Sequence, residues 1–463
     1  MTIPADALAA LAQAVGPGAL LTGAAIPERN HRDASRLPAH PPAALVLPRT
    51  TEEVAAVVKA CARLQLALVV QGGMTGLAGG ATPAEGEIAL SLEKMSGVEE
   101  IDPVSRTMTA LAGTPLAVIQ EKATEAGFLY GVDLGARGSC TIGGNVATNA
   151  GGVQVLRYGM TRRNVLGLEI VLADGRIVRH LEKVVKNNAG YDWTQLFIGS
   201  EGTLGIVTRV LLALQPAVSG VQTAFCAAPS TSKALAALNR LDARLGGSLL
   251  AFEAMWPEYM NAAAEHVGMP CPFARPAEVT LIVEAAMGSG EAGPETFTEA
   301  LSELIEEGLV EDALIAQSSR ERERFWAYRE GNYEFYRAMP PGVHFDVSIP
   351  LASIERAIGL LRARLAAHHA AAQPIVFGHL ADSNLHISIH SPELDDLRAG
   401  FSAIVYELVK EMRGSISAEH GVGVLKRPYL GMSRSAEELA LMATLKRTLD
   451  PAGILNRGRI LAL

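Results

Sequence analysis

Gln71-Gly72-Gly73-Met74-Thr75-Gly76-Leu77-Ala78-Gly79-Gly80 follows the apolar run LALVVQ (66–71) and leads through ATPAEGE (81–87) into a second run, IALSL (88–92). Glycines at this density imitate a dinucleotide-binding fingerprint. That fingerprint needs a strand, then the glycines, then a helix whose N-terminus faces a pyrophosphate. Here the glycines join strand to strand, which disfavours a Rossmann crossover. The two readings left are a loop of small residues whose N–H groups surround an anion without a helix, and an ordinary flexible loop.

Two further stretches shift that balance. Gly138-Ser139-Cys140-Thr141-Ile142-Gly143-Gly144-Asn145-Val146-Ala147-Thr148-Asn149-Ala150-Gly151-Gly152 interleaves glycine pairs with hydroxyl and amide side chains. Such a stretch suits close approach of backbone to a flat polar ligand. Phe197-Ile198-Gly199-Ser200-Glu201-Gly202-Thr203-Leu204-Gly205-Ile206-Val207 then joins a turn to a strand. Three such loops in one region are poorly explained as turns alone.

Around them, TTEEVAAVVKACARLQ (50–65) reads as a helix, with a Thr cap and two glutamates in its first turn. TMTALAG, LGLEIVLADGRIV and GTLGIVTRVLLAL read as strands, with ADG as a hairpin turn. From about residue 216 the character changes. Alanine-rich helices (STSKALAALNRLDARL, ETFTEALSELIEEG, LASIERAIGLLRARLAAHHA) alternate with strands such as EVTLIVEAA and HFDVSIP. The expected organisation is a first domain over 1–215, an α+β domain over 216–420, and a C-terminal segment, 421–463, returning to the first.

The formal charge of -9 argues against a nucleic-acid binder. Cys61, Cys140, Cys226 and Cys271 are far apart, so neither a disulfide framework nor a thiolate zinc site is expected, and a reducing cytoplasm fits. The N-terminus reads as a short amphipathic helix rather than a signal peptide, and no uninterrupted apolar span is long enough for a bilayer.

A different chemistry lies late in the chain. Phe377-Gly378-His379-Leu380-Ala381-Asp382-Ser383-Asn384-Leu385-His386 sets two imidazoles seven residues apart, and Ser417-Ala418-Glu419-His420-Gly421-Val422-Gly423 follows. Two imidazoles and a carboxylate can hold zinc or another divalent cation with positions open to substrate. From spacing alone, a His pair of this kind is more often structural. His368, His369 and His390 have no motif around them and are expected at the surface.

The order QGGMTGLAGG, GSCTIGGNVATNAGG, RYG, ADG, FIGSEGTLGIVT, HLADSNLH, EHGVG and DPAGILN resembles FAD-dependent D-2-hydroxyacid dehydrogenases of the vanillyl-alcohol-oxidase type, across nearly the whole chain. The resemblance implies an α+β fold: a two-part FAD-binding domain of that type plus a substrate (cap) domain with an antiparallel sheet. It implies noncovalent FAD, since Met74 stands where some relatives carry a flavin-linked His and Cys140 does not match the cysteinyl-flavin spacing. Gly72, Gly73, Met74, Thr75 and Gly76 would meet the pyrophosphate. Gly138, Ser139, Thr141, Gly144, Asn145 and Thr148 would surround pyrophosphate and isoalloxazine. Ile206 would hold the adenine side, Asn456 would reach back from the tail, and Gln71, Leu134, Gly151 and Gly202 complete the set.

The same resemblance implies a divalent metal, zinc foremost, on His379, His386 and Glu419, with Asp382 orienting a ligand His. His420 would be the base, Asn384 a substrate contact and Arg329 the carboxylate clamp. Tyr333 and His344 stand where relatives specific for 2-hydroxyglutarate carry Thr and Lys, which departs from that specificity. Electrons would leave for an electron-transfer flavoprotein or a quinone, and relatives imply a homodimer. Rival readings are a metal hydrolase, a nonoxidative flavoenzyme of the same fold, and the flavin subunit of a glycolate-oxidase-like complex.

Overall fold

A computed structural model describes residues 3–16, 18–287 and 293–463. The chain forms two compact units. One comprises residues 1–152, 158–217 and 419–463; the other comprises 153–157 and 218–418.

In the first unit, β1 (Ala44–Val46), β2 (Leu68–Gln71) and β3 (Ile88–Ser91) pair in parallel in the order β1-β3-β2. No helix lies between β2 and β3, so the first glycine stretch is a strand-to-strand loop. The helix Thr51–Leu64 precedes β2. Its Thr50 side chain accepts the Glu53 N–H, and its apolar face buries Val54, Val57, Val58 and Cys61. A second sheet follows, β4 (Val98–Asp102), β5 (Thr107–Leu111), β6 (Val165–Val171), β7 (Ile177–His180) and β8 (Ile206–Ala213), ordered β4-β5-β8-β6-β7 and antiparallel throughout. The ADG turn joins β6 to β7, with Gly175 at φ +78°. Apolar faces of both sheets share one core. Within it, Glu169 on β6 is buried, yet it accepts hydrogen bonds from Thr51, Thr208, Arg179 and Arg209. Burial works to raise its carboxyl, but these donors outweigh burial and the net shift is downward.

The tail closes this unit. The helix Ala436–Leu449 begins with a capping box between Ser435 and Glu438. Beyond it Leu455 bridges to Leu68, and the Arg459 guanidinium pairs with Glu87 in the interior.

The second unit is built on one seven-stranded antiparallel sheet: β9 (Gly220–Ala228), β10 (Leu249–Met255), β11 (Val279–Met287), β12 (Asp312–Ile315), β13 (Gly342–Ser348), β14 (Gln373–His379) and β15 (Asn384–His390). Their order is β12-β9-β11-β10-β14-β15-β13. The alternation along each strand sends Glu253, Phe377, His379, Asn384, His386 and Asp346 to one face, because β10 pairs Glu253 with His379 and β13 pairs Asp346 with His386. The helices Ser319–Glu330 and Asn332–Ala338 pack on that face, through Tyr328 and Phe335 against Tyr259 and Phe377. Among the described residues no helix is long and apolar enough to cross a membrane.

Candidate functional site

The three glycine stretches meet in the first unit, and the reason for several of their glycines is steric. A Cβ on Gly73 would stand 1.9 Å from the Ser139 carbonyl oxygen, and one on Gly72 would stand 2.6 Å from Thr141 Oγ1. The first loop therefore lies directly on the second. A Cβ on Gly152 would meet the Asp133 carbonyl at 1.8 Å, and one on Gly202, at φ +70°, would meet Asn456 Nδ2 at 3.0 Å. Met74 takes a left-handed φ of 56° between them.

Gly138 is different. A Cβ there meets nothing within 4 Å, and Ser139 beside it is exposed. Behind it Thr141 precedes the helix Ile142–Thr148, whose Thr148 Oγ1 bonds back to the Gly144 carbonyl. Thr141 Oγ1 is buried without a hydrogen-bond partner, and Asn145 Nδ2, beside the Cys140 thiol, finds no conventional partner either. Buried polar atoms of this kind are costly unless a ligand or water satisfies them. A dense backbone cradle with unsatisfied hydroxyl and amide groups fits a flat polar cofactor.

Other expected cofactor residues are placed as supports. Gln71 is buried, and its amide bonds to Asn30 and to the Ala81 carbonyl, closing the base of the first loop. Asn456 stitches β2 to the third stretch: Oδ1 accepts the Val70 N–H at 2.8 Å and Nδ2 donates to the Glu201 carbonyl at 2.6 Å. Thr75 and Leu134 are half-buried, Gly151 is buried, Gly76 lies near Asp33, and Ile206 opens β8 in the core.

In the second unit the polar face of the sheet is organised by Glu253, a residue the motif reading missed. It is the lone acid in the run LLAFEAM, and a buried strand carrying one carboxylate must supply partners for it. The partners are His379, whose Nδ1 lies 2.6 Å from Oε1, and Arg329, whose Nε lies 2.7 Å from Oε2. Burial opposes ionisation of Glu253, but its contacts with His379 and Arg329 outweigh it and its pKa is shifted downward. As a carboxylate it accepts a hydrogen bond from the Nδ1–H of His379 and so leaves Nε2 as the ligating nitrogen. The Arg329 guanidinium also lies 4.5 Å over the Phe377 ring. With Nε committed to Glu253, a bidentate contact to a substrate carboxylate would run through its Nη nitrogens.

The rings of His379 and His386 are 5.4 Å apart and nearly perpendicular. The strand bridge between Ser348 and Ser415 keeps residues 415–418 in this unit. Glu419, peptide-bonded to Ala418, then opens the last piece of the first unit. His379, His386 and Glu419 are a donor set that could hold a metal ion. Asn384 is buried; its Nδ2 donates to Asp346 Oδ1 at 2.8 Å, and its Oδ1 has no hydrogen-bond partner.

Asp382 Oδ1 accepts the Asn384 N–H, closing the tight turn before β15, and burial pushes its carboxyl up to about 6. His379 Nδ1 has its hydrogen-bond partner in Glu253. One expectation is corrected. His390 is not at the surface: it is buried, with Nδ1 on the Pro340 carbonyl and Nε2 near Ser388 Oγ. Gly342 leaves room for it on the neighbouring strand, since a Cβ there would stand 2.5 Å from the ring. His344 is exposed and tilts against Tyr336, 5.0 Å between rings. The side chain of Tyr333 lies outside the described residues.

Residues 42–180 match the FAD binding domain family, and residues 219–460 match FAD linked oxidases, C-terminal domain. The chain belongs to the FAD-linked oxidase family. It is 41% identical over 457 residues to the mitochondrial D-2-hydroxyglutarate dehydrogenase of Bos taurus, covering 98% of this chain and 83% of that protein. It is 38% identical over 460 residues to the D-2-hydroxyglutarate dehydrogenase of Xanthomonas citri pv. viticola, covering 97% and 96%. p-Cresol methylhydroxylase with substrate bound has the same fold, with a TM-score of 0.79 at 15% identity over 98% of this chain and 96% of that one. The first match takes in the first two glycine stretches, and the second takes in the antiparallel sheet and most of the returning tail.

Proposed function

We propose that the protein oxidises a D-2-hydroxy acid to the 2-oxo acid, using noncovalent FAD and a divalent metal. The observation that carries this reading is Glu253, one buried carboxylate that orients both a candidate metal ligand, His379, and a candidate carboxylate binder, Arg329. Similarity to the two D-2-hydroxyglutarate dehydrogenases supports it.

FAD, when bound in the cradle, supplies the acceptor for the hydrogen and electron pair leaving substrate C2. The metal, when held by His379, His386 and Glu419, supplies Lewis-acid stabilisation of the developing alkoxide. The chain's own residues do the rest. His420 takes the hydroxyl proton at an imidazole nitrogen. Arg329 fixes the substrate carboxylate and with it the direction of the C2–H bond. Asn384, its Nδ2 held by Asp346, presents an amide oxygen to the acid. His344 takes the distal end of the substrate. An electron-transfer flavoprotein or a quinone then reoxidises the flavin, and the working form is a homodimer.

Anaerobic absorbance scans with D-lactate, D-malate, D-2-hydroxyglutarate and glycolate, each with and without chelator, test the reading. Flavin bleaching by at least one D-2-hydroxy acid, slowed by chelator, is expected. A protein without flavin bands, or with flavin that every acid leaves oxidised, would sink it. His420→Ala should retain FAD and lose bleaching; an undiminished rate removes His420 from the reaction.

A further inference from the structure

The segment after His420 is held by contacts that none of the roles above explains. Gly421 and Gly423 both take left-handed φ, 75° and 52°. The Val422 N–H donates to Glu201 Oε1 at 2.7 Å, and the Gly423 N–H to Glu201 Oε2 at 2.8 Å. One residue on, the Val424 and Leu425 N–H groups share the Ala78 carbonyl of the first glycine loop, at 3.0 and 3.2 Å. The turn is packed too closely for side chains. A Cβ on Gly421 would stand 2.8 Å from Glu201 Oε1, and one on Gly423 would stand 2.0 Å from the Ala78 oxygen.

Glu201 is itself pinned from three directions. It sits in the third glycine stretch at φ 51°, a conformation a non-glycine residue takes at a cost. Its N–H donates to the Ala147 carbonyl in the second stretch, and its carbonyl accepts from Asn456, which in turn holds β2. Its side chain is buried, and burial pushes its carboxyl up; the two N–H donors and the Lys426 ammonium work against that. Only a carboxylate can receive both N–H groups, because an amide in its place would turn a donor toward one of them.

We propose that Glu201 is a positioning residue, whose carboxylate sets the 421–423 turn and thereby the directions in which Glu419 and His420 present their side chains. This rests on the roles given to those two residues above. It ties the geometry of the metal ligand and base to the same three stretches that form the FAD cradle.

The test uses the full-length flavoprotein, stripped of metal and compared with Glu201→Gln and Glu201→Asp. Four quantities are read: FAD content by absorbance, hydrogen exchange of the 419–426 backbone, Zn2+ affinity by titration, and the anaerobic rate of flavin reduction by whichever acid bleaches the wild type. Glu201→Gln should keep stoichiometric FAD and exchange faster in 419–426 alone. Its Zn2+ affinity should fall about 10-fold, as when an outer-shell support of a ligand is lost, and its reduction rate about 100-fold, as for a displacement near 1 Å. Glu201→Asp keeps two acceptors on a shorter arm and should recover part of both losses. Loss of FAD in Glu201→Gln, unchanged exchange, or faster exchange with wild-type Zn2+ affinity and reduction rate would each overturn the proposal, as would an Asp variant no better than Gln. A wild type that no acid bleaches defeats the functional reading instead, and the exchange and Zn2+ arms still decide the role of Glu201.

Discussion

The glycine cradle of the first unit and the polar sheet face of the second hold their groups by opposite means. In the cradle, position comes from the absence of side chains: Gly72, Gly73, Gly152 and Gly423 sit where a single added carbon would strike backbone or a buried hydroxyl. On the sheet face, position comes from charge. Glu253 is fixed by His379 and Arg329, and Glu284 by Arg322, Trp326 and Thr223. The first kind of precision is steric and indifferent to pH. The second is electrostatic, and it fails when the central carboxylate loses its charge.

Gly73→Ala is the severest way to test the steric half. Its Cβ would overlap the Ser139 carbonyl, so the two loops must part, and the purified protein should contain almost no FAD by absorbance at full expression. Retention of wild-type FAD content would show that the loops are compliant. On the other side, Glu253→Gln keeps the shape and removes the charge between His379 and Arg329. Breaking a buried pair in this way costs about 3–5 kcal/mol, read by urea unfolding, and Zn2+ affinity should fall along with stability. A change within error would mean that Glu253 merely fills space.

The charge-dependent part of the first unit gives a smaller effect. Glu169 has a folded-state pKa below its unfolded one, so its contribution to stability is complete above the usual glutamate value (~4.3) and is lost as pH falls through the folded value. Glu169→Gln should therefore be less stable at neutral pH and show a flatter loss of melting temperature below about pH 4.3. An unchanged acid limb contradicts this. Gly138→Ala is the mildest, since its Cβ enters open space. Stability should stay within about 0.5 kcal/mol, and any fall in FAD affinity then reports direct contact with the cofactor rather than damage to the loop.

Much of this was legible because its causes are local. The strand–loop–strand setting of 71–80, the Thr50 cap and the Asp174-Gly175 turn are decided within a few residues, and the sheets form where those signals place them. The donor set His379, His386 and Glu419 could be picked out only through the family resemblance, since spacing alone favours a structural His pair. What stayed hidden depends on pairing across strands. Glu253 lies 126 residues before His379, and only the β10–β14 register makes them neighbours. Asp382 stands nearer to both histidines in sequence, yet the tight turn after Leu380 spends its carboxylate on the backbone. His390 offers no motif at all; the empty side of Gly342 is what lets a strand bury it.

The return of residues 419–463 to the first unit bears on the order of assembly. During synthesis, residues 218–418 are complete and contiguous before Glu419 is made, so that unit can fold as the chain emerges. The first unit must wait. Its strand at Leu68 lacks the Leu455 bridge, and Glu87 lacks its Arg459 partner, until residues 455–459 have been made. A chain stalled before Leu455 would therefore contain a complete second unit and a first unit still lacking its closing bridge and its buried ion pair.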